Sequence, residues 1–298
     1  MFRPALFTLW LFFSSLMTAQ GLDEPSGASV PGSTVEASPD MVVKKSYVTL
    51  GIGPESAPVI DGAISDSVWE QVPWGGDYIE FQPDENTDPS VATEFKILYD
   101  PKNLYIAFRC HDPEPEKIER RLSRRDGFAG DWVEVNIDSY NDKRTAFSFS
   151  ITGAGVKGDE FISNNGNNWD SSWNPIWYAK TQIDSAGWTA EIRIPLSQLK
   201  FSDASEQVWG LQSTRRFFRE EERSVWQRKP VDQPGWVSEF GELKGLKDLE
   251  SQKQLEIQPY TVAQSRSFEP QEGNPFEDGS EMTLTAGLDA KIGITTQL

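Results

Sequence analysis

Between Val48 and Leu246, apolar residues recur at every second position in short runs, and each run ends at a cluster of turn-forming residues. Alternation of this kind sends successive side chains to opposite faces of a strand, so it predicts half-buried sheets. In DWVEVNID, Val133, Val135 and Ile137 share one face while Trp132, Glu134 and Asn136 share the other. TAFSFSIT divides in the same way, with Phe147, Phe149 and Ile151 set against Ala146, Ser148 and Ser150. VWGLQSTRR places Trp209, Leu211 and Ser213 inward and Gln212, Thr214 and Arg216 outward, and GWTAEIRIPL turns Trp188, Ala190, Ile192 and Ile194 inward. FKILYD and LYIAFRCHD flank Pro101-Lys102-Asn103, which is a hairpin signal. The expected fold is all-β, a β-sandwich of antiparallel strands whose sheets each have one apolar and one polar face. The polar face is ordinary solvated surface unless several polar groups and an aromatic ring converge on it.

The two ends of the chain read differently from this middle. In LEIQPYTVA, Leu255, Ile257, Pro259, Thr261 and Ala263 alternate with polar or larger residues, and in AGLDAKIGITTQL the alternating set is Ala286, Leu288, Ala290, Ile292 and Ile294. A polar, acidic loop from Ser265 to Glu281 joins the two. Two such strands, the second ended in mid-pattern, read as the opening of an outer-membrane β-barrel, so residues 251–298 are assigned to the start of a truncated barrel-like domain. The plainer reading is an exposed hairpin docked on the sandwich. At the other end, MFRPALFTLWLFFSSLMTAQG has one basic residue, Arg3, an apolar run from Ala5 to Phe13, and small polar residues near Ala19. Residues 1–20 are therefore expected to be a secretory signal, too short to span a bilayer comfortably. Residues 21–45, rich in Pro, Ser, Gly and acid, are expected to be a disordered linker. The expected location is outside the cytoplasm, at the outer membrane, in the periplasm or on the cell surface.

Charge and chemistry narrow the partner. A formal net charge of −18 over 298 residues disfavours nucleic acid and anionic lipid heads and favours a neutral partner. The single cysteine, Cys110, excludes an internal disulfide, and the single histidine, His111, excludes sites that need two imidazoles. Residues 164–180, NNGNNWDSSWNPIWYAK, space Trp169, Trp173 and Trp177 four apart, but Gly166, Pro175 and the Asn residues predict a loop rather than a helix. A polar loop displaying flat rings suits a sugar, because a pyranose offers an apolar face to a ring and hydroxyls to amides and carboxylates. Trp177 is expected to pack in the sandwich, Trp173 to close the loop over it, and Trp169 to be exposed as an auxiliary sugar contact. Trp69 reads as a core plug. The acidic turns DSYNDK and GDE offer Asp138, Asp142 and Asp159 as ligands for a structural calcium ion.

Five segments, in order, carry a resemblance. IDGAISDSVWEQV (60–72), ILYDPKNLYIAFRCHD (97–112), DWVEVNIDSYND (131–142), GWTAEIRIPLSQLKF (187–201) and FGELKGL (240–246) resemble the family 9 carbohydrate-binding module. They look still more like its version at the N-terminus of large exported proteins with a C-terminal barrel-like domain of unknown function. The resemblance implies a β-sandwich over residues 46–250. It also implies a terminal sugar held between two rings by a carboxylate, an arginine and amides, with calcium serving structure. By position the carboxylate is Glu134 and the rings are Phe128, in GFAG, and Trp236, in PGWVSEFGEL. The arginine position falls on Ser148, and the amide position, on the strand of Gln212, falls nearer Thr214. Arg215, Arg216 and Arg144 are candidate substitutes for the arginine. Trp236 is expected to serve binding more than stability. The implied function is carbohydrate binding, capturing neutral oligo- or polysaccharide ends at the cell envelope for uptake or catabolism. A glycoside hydrolase, which needs two carboxylates about 5–10 Å apart, is the alternative. A haem-binding sandwich is the third, and one histidine with four methionines argues against haem.

Overall fold

The computed structural model describes residues 43–249, 255–270, 272–273 and 279–292. The expected signal and residues 21–42 of the expected linker lie outside the described residues. At the end of that linker, Lys45 N donates to Gln227 Oε1 at 2.6 Å and Lys44 Nζ to Ser238 O at 2.8 Å, so these two residues belong to the folded domain.

The described residues form strands and short 3₁₀ turns. β1 (Ser46–Val48), β2 (Leu50–Gly51) and β3 (Ile79–Gln82) precede a hairpin of β4 (Thr93–Tyr99) and β5 (Asn103–His111), which turns at Pro101-Lys102 as its sequence predicts. β6 (Trp132–Asp138), β7 (Ala146–Thr152), β8 (Lys157–Ser163) and β9 (Asn168–Asp170) follow as a meander. A second hairpin of β10 (Tyr178–Asp184) and β11 (Gly187–Pro195) leads to β12 (Glu206–Phe217), β13 (Glu222–Val225) and β14 (Gly241–Lys247). β15 (Leu255–Ser267) and β16 (Ser280–Ile292) form a separate two-stranded sheet.

One sheet has nine strands in the order β1-β14-β12-β6-β7-β8-β9, with β13 and β3 continuing from β12. The other has five, in the order β10-β11-β5-β4-β2. The pairing is antiparallel except at two edges, where β1 runs parallel to β14 and β2 parallel to β4. The expectation of antiparallel strands is corrected there. Residues 46–51 leave one sheet and enter the other within a single extended stretch, and each half pairs with an edge strand that runs in its own direction.

The main core lies between the sheets, and the alternation read from the sequence sets its membership. Phe95, Ile97, Ile106 and Phe108 meet Val133, Val135, Phe149 and Leu211, with Trp177, Trp188 and Trp209 filling the same cluster. Fully burying one such side chain contributes roughly 1.5–3 kcal/mol. Arg215 follows the parity of Trp209, Leu211 and Ser213 and is 1% exposed. Its guanidinium lies 5.9 Å from the Trp188 ring and 5.7 Å from that of Phe217. Arg215 is therefore a core residue and not the sugar-site arginine its charge suggested.

Trp69 is a plug, but of a second cluster on the outer face of the five-stranded sheet, with Val68, Val72, Leu98 and Tyr105. On that face Glu191, wholly buried, accepts bonds from Trp69 Nε1 (3.0 Å), Gly62 N (3.0 Å) and Asp61 N (3.1 Å). In the β15–β16 hairpin, the register puts Leu255 opposite Ile292, Pro259 opposite Leu288 and Ala263 opposite Leu284, all on one face by their even spacing. Leu255, Leu284, Leu288 and Ile292 are all exposed.

Candidate functional site

The outer face of the nine-stranded sheet is built from the polar half of each alternating strand. Register places Glu134 of β6 opposite Thr214 on β12 and Ser150 on β7, and Asn136 opposite Gln212 and Ser148. Ser148 in turn stands opposite Glu160 on β8. At one end of the patch, Trp132 faces Arg216, which faces Arg223 on β13. Directly opposed residues on one sheet face lie within contact range of each other, so five separate strands bring these groups together.

Loops wall this patch into a cavity of about 520 Å³. Phe128, Trp132, Trp169, Trp236 and Phe81 supply its rings, and Glu134, Glu160, Arg216, Arg223 and Lys229 its charges. Two glycines make the walls possible. A Cβ on Gly166, whose φ is +92°, would stand 2.4 Å from Trp236 Cβ. One on Gly158 would stand 2.6 Å from Ser150 Oγ and 3.0 Å from Phe128 Cζ. The Asn-rich loop therefore does support the cavity, through its backbone as well as its Trp. Asn165 Oδ1 accepts from Ser238 N at 2.9 Å, Asn165 O accepts from Trp236 N at 2.9 Å, and Trp169 Nε1 donates to Gly166 O at 2.8 Å.

The aromatic residues differ in freedom. Phe128 is 40% exposed and meets Trp132 edge to face with centroids 5.7 Å apart. Trp236 is only 9% exposed; its Nε1 donates to Asn136 Oδ1 at 2.7 Å, and Phe81, Trp169 and Phe240 pack around its ring. The expectation that Trp236 serves binding more than stability is corrected, because the ring is a wall member held by its neighbours. Trp169 is half-buried rather than fully exposed, and Trp177 and Trp173 pack against Phe149 as expected.

Charge in the cavity is unusual. Glu134 is buried and accepts a bond from Ser148 Oγ at 2.7 Å. Burial raises its carboxyl above the ordinary range, while the Ser148 bond and the charge of Arg223 oppose the rise. Glu160 is pushed up to about 7, by burial first and then by the charge of Glu134. Burial lowers the pKa of Arg223, against the pull of Glu134. Lys229 Nζ donates to Pro230 O and Gln233 O, both at 2.9 Å, and lies 5.6 Å from the Phe81 ring.

Of the residues singled out from sequence, Phe128, Glu134, Trp169, Trp236 and Arg216 line the cavity. Ser148 stands beneath it, bonded to Glu134. Thr214 is buried beside Glu134 by register and is not among the lining residues, and its hydroxyl has no partner among the described residues. Gln212 is spent on the fold, donating to Gln227 O at 2.8 Å and accepting from Gln227 N at 2.9 Å. Arg144 is exposed and outside the cavity. The three aspartates do not gather into an ion site. Asp138 accepts from Asp142 N and Lys143 N, Asp142 from Thr145 N, and Asp159 from Trp177 Nε1 and Arg125. Among the described residues no group of three or more His, Cys, Asp or Glu is placed to hold a metal.

Sequence reasoning missed Phe81, Glu160, Arg223 and Lys229. Trp132 it placed on the polar face without assigning a role. Glu160 follows the outward parity of β8, but Arg223 and Lys229 lie in REEERSVWQRKP, which reads as a solvated charge run and carries no local signal.

The cavity matches flat rings to apolar sugar faces and charged or amide groups to hydroxyls, which is the chemistry of a saccharide site. Solved structures and a family model resemble the chain. A family 9 carbohydrate-binding module from Caldicellulosiruptor kristjanssonii in complex with glucose is 19% identical, covering 70% of this chain and 97% of its own, with a TM-score of 0.47. The module in complex with cellotriose, from the same organism, is 20% identical over 70% and 95%, with a TM-score of 0.47. A candidate carbohydrate-binding protein from Bacteroides uniformis is 13% identical over 68% and 99%, and its TM-score of 0.53 shows the shared fold. No curated protein matches the chain. Residues 60–216, more than half of the chain and including β6, β7, β8 and most of β12, match the model described as carbohydrate family 9 binding domain-like, and the chain belongs to that family.

Proposed function

We propose that this domain binds the end of an oligo- or polysaccharide in the cavity on the nine-stranded sheet. The observation that carries this reading is the convergence of Phe128, Trp132 and Trp236 with Glu134 in one cavity of a family 9 domain. The rings take the apolar face of a pyranose, and Glu134 accepts from its hydroxyls. A glycan array probed with the protein tests it: at least one class of glycan end should be retained, and Glu134→Gln should weaken that binding about tenfold, or about 1.4 kcal/mol. Failure to retain any glycan would overturn it.

One observation favours a second reading. Glu134 and Glu160 share the cavity, and Glu160 is pushed up to about 7. Two carboxyls sharing one cavity, with the pKa of Glu160 pushed up, are the pair a glycoside hydrolase needs for its acid and its nucleophile. Slow release of new reducing ends, abolished in Glu160→Gln, would decide for the hydrolase; an unchanged glycan after long incubation decides for the binder.

We further propose that the chain is exported and that β15–β16 opens a membrane-spanning β-barrel, which would set the sugar site at the cell envelope. The one-sided apolar face of the hairpin supports this, because a barrel strand is apolar outward and polar inward. Residues 46–250 should stay soluble in plain buffer, while the chain with its hairpin should need detergent. Equal solubility of the two would count against the barrel.

A further inference from the structure

The expectation of a neutral glycan rests on the charge of the whole chain, yet the cavity runs against it. Arg216, Arg223 and Lys229 all line it in a protein with a formal net charge of −18. Some arginines elsewhere are matched with acids: Arg109 with Asp184, Arg125 with Asp159, and Arg219 with Asp112. None of the three cavity cations has a carboxylate within 4 Å among the described residues. Three cations without a close carboxylate partner thus line a single cavity.

Arg223 is the clearest case. Its guanidinium stands 5.7 Å from the Trp132 ring and forms no hydrogen bond or ion pair among the described residues, and its Nε is buried without a partner. A partly buried guanidinium whose Nε donor is enclosed and unused is costly unless an acceptor meets it. Glu134 is close enough to act on Arg223 through its charge, but its hydrogen-bonding contact is to Ser148. Arg216 Nη1 donates to Glu221 O, and Lys229 uses two of its three donors on carbonyls, so neither finds a charge partner. The planar fork of an arginine matches a carboxylate in two parallel hydrogen bonds, and a lysine beside it adds a point charge. Repulsion from the rest of this acidic chain is screened beyond about 8 Å at physiological salt, so the local cations dominate at contact.

We infer that the glycan end held in this cavity carries a carboxylate, a uronic acid, whose anion is met by the unpaired Arg223 with Lys229 and Arg216 beside it, while the sugar ring lies against the aromatic wall. The inference rests on the carbohydrate-binding reading and names the substrate class of the same site. Calorimetric titration of the unaltered chain with methyl glucuronide and methyl galacturonide, their uronamides, and the corresponding neutral methyl glycosides tests it. At least one uronide should bind ten times more tightly than its own uronamide and its neutral glycoside. Arg223→Gln should bring uronide and uronamide within about twofold, and Arg223→Lys, which keeps the charge and loses the fork, should fall between. The uronide and uronamide comparison needs no variant, so it decides even if an altered Arg223 prevents folding. Neutral glycosides or uronamides binding as tightly as uronides would overturn the inference and leave carbohydrate binding standing. Preference for a sulfated glycoside over every uronide would overturn the carboxylate assignment. No binding to any of these sugars, together with a blank glycan array, would remove both readings.

Discussion

Glu134 and Glu191 stand at outward-facing positions of the two sheets, and both are buried. Burial raises the carboxyls of both. Their surroundings differ. Glu191 is saturated by an indole and two backbone N–H groups, and the segment bearing them closes over the five-stranded sheet. Glu134 accepts one close hydrogen bond, from Ser148, with the Asn136 and Thr214 side chains near enough to pull its pKa down, and it faces a cavity that also holds an unpaired arginine. A saturated carboxylate fastens a loop, whereas one with capacity left over can fasten a ligand. Burial of charge alone therefore does not mark a site; the hydrogen-bonding capacity that the fold leaves unused does.

The comparison can be broken most forcefully on its closed side. Trp69→Ala removes a fully enclosed ring and the indole donor to Glu191, and should cost about 3–5 kcal/mol of stability in urea unfolding. Sugar affinity of the protein that remains folded should not change; weakened binding at full stability would erase the distinction between the faces. On the open side, Trp236→Ala should lower stability by about 3 kcal/mol and weaken sugar binding as well, since the ring is packed wall and cavity lining at once. Lost binding at unchanged stability would mean that the ring stands free of its neighbours. Phe128→Ala sharpens the contrast: stability should hold within about 0.5 kcal/mol while affinity falls by roughly 1–2 kcal/mol. The smallest effect concerns Glu160, whose folded value of about 7 lies above the ordinary 4.5. The folded state keeps this proton when the unfolded chain has lost it, so stability falls as pH rises from about 4.5 through 7 and levels off above. Melting temperatures between about pH 5 and pH 8 should fall less steeply in Glu160→Gln than in the parent, and parallel curves would deny the shift.

Alternation made much of the sandwich legible. It gave the inward residues of β6, β7, β11 and β12, and with them the outward place of Glu134. It also placed Arg215 inward by parity, and weighing its charge above its position led to the wrong assignment. The resemblance supplied Phe128 and Trp236, which no periodicity marks. Arg223 and Lys229 were not legible, because their importance comes from pairing: β13 reaches the site only by lying between β12 and β3, a long-range neighbourhood that no local pattern records. The parallel edges were hidden for the same reason. Residues 46–51 are too short to show a period, and their partners lie about fifty and two hundred positions away.

That first edge has a consequence in time. β1 pairs with β14, Ser46 opposite Glu242, so the opening strand of the domain has no partner until nearly the whole domain has left the ribosome. The meander that bears Glu134 and Glu160 can form early from near neighbours, but the sheet beside it stays unsealed until residue 247 emerges. A chain stalled before that point would carry most of a sugar site on a sheet with an open edge.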